Sequence, residues 1–220
     1  MKIKTGYLLL KTDKKVEETP SKLRGYIGNQ FKENIILHNH HNNELIYSYP
    51  LVQYKIIKNN IIIFAIEEGL TEIKKISTDI EELQLKRNYT ITEKILYEKT
   101  YEIEESNKLY QYKFITPWLA LNQKNYNKYK ETTDQKERKI LLNKILIGNI
   151  LSMCKNFGIM VNKRLIVKTH LNIENVEYKS VILKGFTGEF QTNFKLPDYI
   201  GLGKGVSHGY GTIIQQKQDE

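Results

Sequence analysis

Leu51-Val52-Gln53-Tyr54-Lys55-Ile56-Ile57-Lys58-Asn59-Asn60-Ile61-Ile62-Ile63-Phe64-Ala65-Ile66 decides how the first half of the chain reads. Leu51 to Ile57 and Ile61 to Ile66 are rich in β-branched and aromatic residues. Lys58-Asn59-Asn60 between them has turn chemistry, so the stretch predicts a β-hairpin. Upstream, Thr19-Pro20-Ser21 offers a capping hydroxyl followed by proline in the first turn. A short helix follows, with Leu23, Tyr26 and Ile27 on one face. Downstream, Leu70, Ile73, Ile76 and Ile80 recur at helical spacing. Outside these helices, residues 3–10 and the run Tyr89 to Tyr101 read as strands. Phe31 to Asn43 is polar and His-rich and reads as a loop.

Beyond a weak boundary at Ser106-Asn107 the pattern returns. Tyr110 to Ile115 reads as a strand. Asp134 with Glu137 three residues on resembles a capping box. A long helix through Ile140, Leu141, Ile145, Ile147 and Met153 ends near Gly158, a glycine stop. Leu165 to Leu171 and Tyr178 to Phe190 are strands, Gly201 to Gly211 is a glycine-rich loop, and Thr212 to Gln215 is a last strand. The first half reads β-α-ββ-α-β, the order of a ferredoxin-like unit. The second reads β-α-ββ-loop-β, one helix short. The expected fold class is therefore α+β: two tandem ferredoxin-like (RRM-like) domains with a C-terminal glycine-rich loop. Residues 1–107 would carry the histidine cluster and 108–220 the glycine loop.

The 220 residues hold 34 Lys+Arg against 25 Asp+Glu, a formal charge of +9. The surplus is uneven: residues 1–60 carry +5, residues 61–110 carry −4, and residues 111–220 carry +8. Charge placed on chosen segments can focus a field on a polyanion, whereas evenly spread charge mainly serves solubility. A single cysteine excludes an intramolecular disulfide and a Cys-rich zinc module. Cys154, in an apolar helix, reads as a small core residue. No apolar run is long enough for a signal peptide or a membrane span, so the expected setting is cytoplasmic, with no membrane partner.

Three features can carry chemistry. In Leu37-His38-Asn39-His40-His41-Asn42-Asn43, three of the five histidines lie within four residues. Two imidazoles on one phosphodiester can act as base and acid, because histidine changes charge near neutrality. The same cluster could supply two metal ligands, but only Glu33 and Glu44 stand near as others. It also reads as a plain polar loop. In Gly201-Leu202-Gly203-Lys204-Gly205-Val206-Ser207-His208-Gly209-Tyr210-Gly211, five glycines permit close backbone approach and an anion nest. Lys204, Ser207 and His208 add donors. No Gly-Lys-Ser/Thr triplet ends the loop, so it is not a Walker A motif. A flexible inter-strand loop is the plain alternative. Third, Phe114 to Gln123 precedes Lys124, Tyr126, Lys128, Tyr129 and Lys130, an interleaving suited to stacking on bases and pairing with phosphates. Trp118 and Leu119 themselves read more readily as core or interface residues.

Together these residues resemble a known family. Leu23-Arg24-Gly25-Tyr26-Ile27-Gly28, the His38/His40 pair, Tyr49-Pro50-Leu51-Val52-Gln53-Tyr54-Lys55, Thr116-Pro117-Trp118-Leu119-Ala120-Leu121-Asn122, Gly148-Asn149-Ile150-Leu151-Ser152 and Pro197-Asp198-Tyr199-Ile200-Gly201 look like the CRISPR repeat-processing endoribonucleases of the RAMP superfamily, closest to the type I-B branch. The C-terminal spacing Gly201-x-Gly203-x5-Gly209-x-Gly211 resembles the RAMP hallmark.

The resemblance implies metal-independent cleavage within CRISPR repeats by attack of a 2′-hydroxyl, with no cofactor. The products would be guide RNAs with a 5′-hydroxyl repeat handle. His38 and His40 map onto the family's acid/base pair. Lys32 and Tyr47 are the nearest candidates to stabilise phosphorane charge. Arg24, Gly201, Gly203, Lys204, Gly205, Ser207, His208 and Gly209 form the RNA-binding set, with His208 where the family usually carries a basic residue. Implied partners are CRISPR precursor RNA and processed guide RNA, with homodimer formation and association with a CRISPR interference complex as further expectations. The alternative is a non-catalytic RAMP-type RNA-binding subunit of a CRISPR ribonucleoprotein. The +5 and +8 segments are those carrying the histidines and the glycine loop.

Overall fold

A computed structural model describes residues 1–38, 40–41, 44–45 and 49–216; the side chains of Ile35, His38, His40, His41, Glu44 and Leu45 are outside that description. The chain forms two compact units. The N-terminal unit is Lys2–Glu102 with Val206–Gly209. The C-terminal unit is Met1, Ile103–Gly205 and Tyr210 onward. The Ser106-Asn107 boundary read from the sequence falls inside a strand of the second unit, Glu105–Trp118.

In the N-terminal unit the order is β1 (Lys2–Thr12), α1 (Pro20–Gln30), α2 (Ile35–His38), β2 (His40–His41), β3 (Glu44–Leu45), β4 (Val52–Ile57), β5 (Asn60–Ile66), α3 (Gly69–Asp79), β6 (Glu82–Gln84) and β7 (Asn88–Glu102). The main sheet runs β4-β5-β1-β7-β6, antiparallel throughout. This is the split βαβ order of a ferredoxin-like fold. The β4–β5 hairpin forms as the sequence predicts. Lys58 and Asn59 take positive φ of 50° and 65°, the left-handed pair that lets a tight turn follow strand twist. Thr19 caps α1 by accepting from the Lys22 N–H, and Pro20 opens the helix. Leu23 and Ile27 on α1, with Ile73 and Ile76 on α3, pack against Leu8, Leu10, Tyr54 and Ile63 to form the core.

The His-rich stretch read as a loop is more ordered in part. Asn34 Oδ1 accepts from the Ile36 N–H at 3.1 Å and starts the single turn α2. His40 and His41 then pair with Leu45 and Glu44 in a two-residue ladder. A local Asn cap and a short ladder leave little periodicity to read in sequence.

In the C-terminal unit the order is β8 (Glu105–Trp118), α4 (Gln123–Glu131), α5 (Gln135–Asn156), β9 (Val167–Tyr178), β10 (Val181–Phe194) and β11 (Ile213–Gln215); the 3₁₀ turn Val206–His208, which lies between β10 and β11 in sequence, belongs to the N-terminal unit. The sheet runs β11-β8-β10-β9, again the ferredoxin-like order, without a helix between β10 and β11. Asp134 caps α5 through the Lys136 and Glu137 N–H groups, and Gly158 (φ +63°) follows its end. The core is aromatic: Tyr112 stacks on Phe190 at 5.4 Å, Phe114 on Trp118 at 5.4 Å, and Tyr129 meets Phe186 edge-on.

One element was not expected. α4 is polar almost all round, and only its Tyr129 is buried, so it lacks an apolar stripe. Asn122 Oδ1 starts it by accepting from the Asn125 N–H at 2.8 Å.

Candidate functional site

Each unit gathers part of the predicted site. In the N-terminal unit, α1 ends at Gln30 and the turn after it carries Lys32. Lys32 is exposed and lines an open hollow of about 600 Å³ with Phe31, Asn34, Ile36 and Lys75. Behind this hollow Glu72 accepts from Asn34 Nδ2 and pairs with Lys75 at 3.2 Å. The backbone places His38 at the end of α2 and His40 at the start of β2. Tyr47, and the side chains of His38 and His40, lie outside the described residues.

A second cluster joins α1 to the distal part of the glycine-rich loop. His208 Nδ1 lies 2.9 Å from Ser21 Oγ, and His208 Nε2 lies 3.3 Å from Arg24 Nη1. A guanidinium only donates, so Nε2 is the acceptor, and the ring proton sits on Nδ1, facing Ser21. The imidazole therefore fixes the Arg24 guanidinium. Gly209 follows at φ +83°; a Cβ there would come within 2.9 Å of Pro20 Cγ and the Tyr54 carbonyl oxygen. Arg24, Ser207, His208 and Gly209 thus belong to the N-terminal unit, although Ser207 to Gly209 come from the end of the chain.

The proximal loop belongs to the C-terminal unit. Gly203 (φ +86°) lies against Trp118, where a Cβ would come within 2.5 Å of Nε1. The Trp118 indole N–H donates to Asn149 Oδ1 at 3.0 Å, which ties the Thr116–Asn122 stretch to the Gly148–Ser152 stretch on α5. The Leu202 N–H donates to the Gly211 carbonyl, the Lys204 N–H to Leu119, the Tyr210 N–H to Gly205 and the Gly211 N–H to Pro117. These amides hold the loop's own shape, so side chains carry more of any phosphate contact than an amide nest would. Lys204 is exposed, its ammonium 5.2 Å from the centre of the Tyr178 ring. Tyr178 in turn meets Tyr210 edge-on at 5.6 Å.

A third feature lies on β4. On β4, Val52 and Tyr54 face the core, while Gln53 and Lys55 lie on the opposite side of the strand, and both are fully buried. Lys55 Nζ donates to Gln53 Oε1 at 3.0 Å, and Gln53 Nε2 donates to the Tyr49 hydroxyl at 3.0 Å. Burial lowers the Lys55 ammonium to about 7. The strict alternation Val-Gln-Tyr-Lys in a strand was the available signal, but it predicts a solvated polar face. Ser21 carries only a cap signal in the sequence, and its contact with His208 is a long-range one.

The architecture defines a class: tandem ferredoxin-like domains with a glycine-rich C-terminal segment. Comparison narrows it. Residues 1–102 match the model of the Cas6b N-terminal domain, and residues 104–216 match that of the Cas6b C-terminal domain. The chain belongs to the Cas6b family. A crystal structure of Cas6b is 35% identical and superposes with a TM-score of 0.91, covering 98% of this chain and 100% of that one. A second, of the CRISPR RNA processing endoribonuclease Cas6b, is 31% identical with a TM-score of 0.79 over the same shares. An uncharacterised protein of Methanocaldococcus jannaschii is 42% identical over 147 residues, which is 66% of this chain and 99% of that protein. Among the described residues, no helix is long and apolar enough to cross a membrane.

Proposed function

We propose that the chain is an endoribonuclease that cuts within the repeats of CRISPR precursor RNA without a metal ion. One histidine of the His38/His40 pair takes the proton from the 2′-hydroxyl. The 2′-oxygen then bonds to the adjacent phosphorus, the P–O5′ bond breaks, and the other histidine protonates O5′. The products are a 2′,3′-cyclic phosphate and a 5′-hydroxyl. Because the substrate contains its own nucleophile, the protein must only align it and manage two protons, each worth roughly 10²–10⁴-fold. Lys32 offers a cation for the developing phosphorane charge. Arg24 and Lys204 grip the backbone, with Arg24 held in place by His208.

The observation that supports this reading best is the match of both halves to Cas6b, together with a His-x-His at the α2–β2 junction. The bound RNA, the processed guide, a homodimer and an association with an interference complex are parts of the same reading, as is a cytoplasmic setting. The test is a repeat RNA carrying one 2′-deoxynucleotide at the cut position, incubated in EDTA. All-ribose RNA should be cut at the full rate and give 5′-hydroxyl ends, while the deoxy RNA stays whole. Cleavage of the deoxy RNA, or a loss of all-ribose cutting in EDTA, would refute the mechanism.

A further inference from the structure

We propose that the C-terminal unit carries a pocket for one unpaired nucleotide of the RNA, with its base against Tyr126 and a flanking phosphate on Lys184 and Lys204. The proposal rests on the RNA-processing reading above and adds a place where sequence is read.

A cavity of about 610 Å³ opens between the start of α4 and the β9–β10 hairpin. That volume falls in the usual range for a small-molecule site, roughly 300–1,000 Å³. Leu119, Leu121 and Leu183 line it with apolar surface. Tyr126 also lines it and is 41% exposed. The contrast within α4 is informative. Tyr129, three residues on, is buried edge-on against Phe186, while Tyr126 keeps its ring open beside a hollow. An exposed aromatic ring over an apolar floor is the arrangement on which bases stack.

The polar lining fits the same occupant. Gln123 and Asn175 present amides, which both donate and accept and so can pair with a base edge, and Asn122, whose Oδ1 caps α4, adds an amide donor. Lys184 and Lys204 complete the lining, and no acidic residue contributes to it. Lys204 is anchored there by its own backbone, which donates to the Leu119 carbonyl at 3.2 Å. An uncharged ligand would leave two lysines unused. An acidic peptide would use them and leave the planar ring and the amides unmatched. A nucleotide uses all three.

The test uses the full chain and a fluorescent repeat RNA, together with a series of the same RNA in which one base at a time is removed. In the wild-type protein, loss of the base at one position should weaken binding about tenfold, the scale of one base–aromatic stack. In Tyr126→Ala that penalty should fall below about twofold, and Tyr126→Phe should restore it, because stacking needs the ring and not the hydroxyl. Lys184→Ala should weaken all the RNAs alike and lower the salt dependence. A full abasic penalty in Tyr126→Ala, or tight wild-type binding with no sensitive position, would overturn the pocket. A wild-type protein with no affinity for any repeat RNA would instead overturn the reading beneath it.

Discussion

The two units share one strand order and reach it by different means. In the N-terminal unit both crossovers pass through helices, α1 and α3, which together cover one face of the sheet. In the C-terminal unit the first crossover uses α5, but the second, from Phe194 to Ile213, is irregular. Leu196, Ile200 and Leu202 in that segment are buried as completely as helix residues would be. Tyr112 pins the segment at both backbone groups of Leu196: its hydroxyl accepts from the N–H at 2.7 Å and donates to the carbonyl at 3.1 Å. A sheet face can thus be closed by an extended segment when side-chain and cross-loop hydrogen bonds replace those a helix would supply. The irregular segment leaves Lys204 exposed and carries His208 against Ser21 and Arg24.

If the irregular segment closes the C-terminal sheet, damage there should cost most. Gly211 has φ +65°, and a Cβ would sit 2.0 Å from the Leu202 carbonyl oxygen. Gly211→Ala should therefore destabilise the fold by more than about 3 kcal/mol, the range of steric and backbone strain combined. A thermal melt within a few degrees of wild type would show that the segment yields and does not close the sheet.

A middle-sized effect should separate the units by pH. Lys55 in the N-terminal sheet has an ordinary value of 10.5, lowered by burial to about 7. Between those two values the unfolded chain holds a proton that the folded chain has released. Stability therefore rises with pH across that window, and the cost of charging the buried amine is complete below about 7. Lys55→Met should remove this slope and stabilise the protein most at pH 6. Urea titrations at several pH values check it, and an unchanged slope would contradict the assignment. The smallest effects should be equal in the two units. Thr19→Ala in α1 and Asp134→Ala in α5 each remove one cap, at about 1 kcal/mol, and chemical denaturation should read the two alike.

Much of this comparison was legible in sequence, and the exceptions have causes. Thr19-Pro20, the Lys58-Asn59 turn, the α3 stripe and the Asp134 cap are local signals that tertiary structure did not override. The missing second helix of the C-terminal half was also legible, because Phe190 to Gly209 shows no helical period. α4 escaped notice because a helix held by one cap and one buried tyrosine has no stripe. Tyr89 to Tyr101 is nearly the whole of β7, whereas β8 reaches well beyond Tyr110 to Ile115, because pairing with β10, not local composition, carries it back to Glu105. At the site, the histidines, Arg24 and the glycines stood out by residue type. The Ser21–His208–Arg24 contact did not, since it joins residues 187 and 184 positions apart. The burial of Lys55 did not either, because strand alternation marks a face as polar without saying whether it is covered.

The proposed function divides the labour, with the N-terminal histidines assigned to cutting and the basic elements of each unit to holding the RNA. The most direct measurement follows labelled repeat RNA with the His38→Ala/His40→Ala double variant, on a denaturing gel for cutting and a native gel for binding. The account predicts that cutting falls by roughly 10⁴-fold or more, the product of two proton-transfer contributions, while affinity stays within about twofold of wild type because phosphate contacts carry it. Cutting at the wild-type rate by that variant would contradict the account.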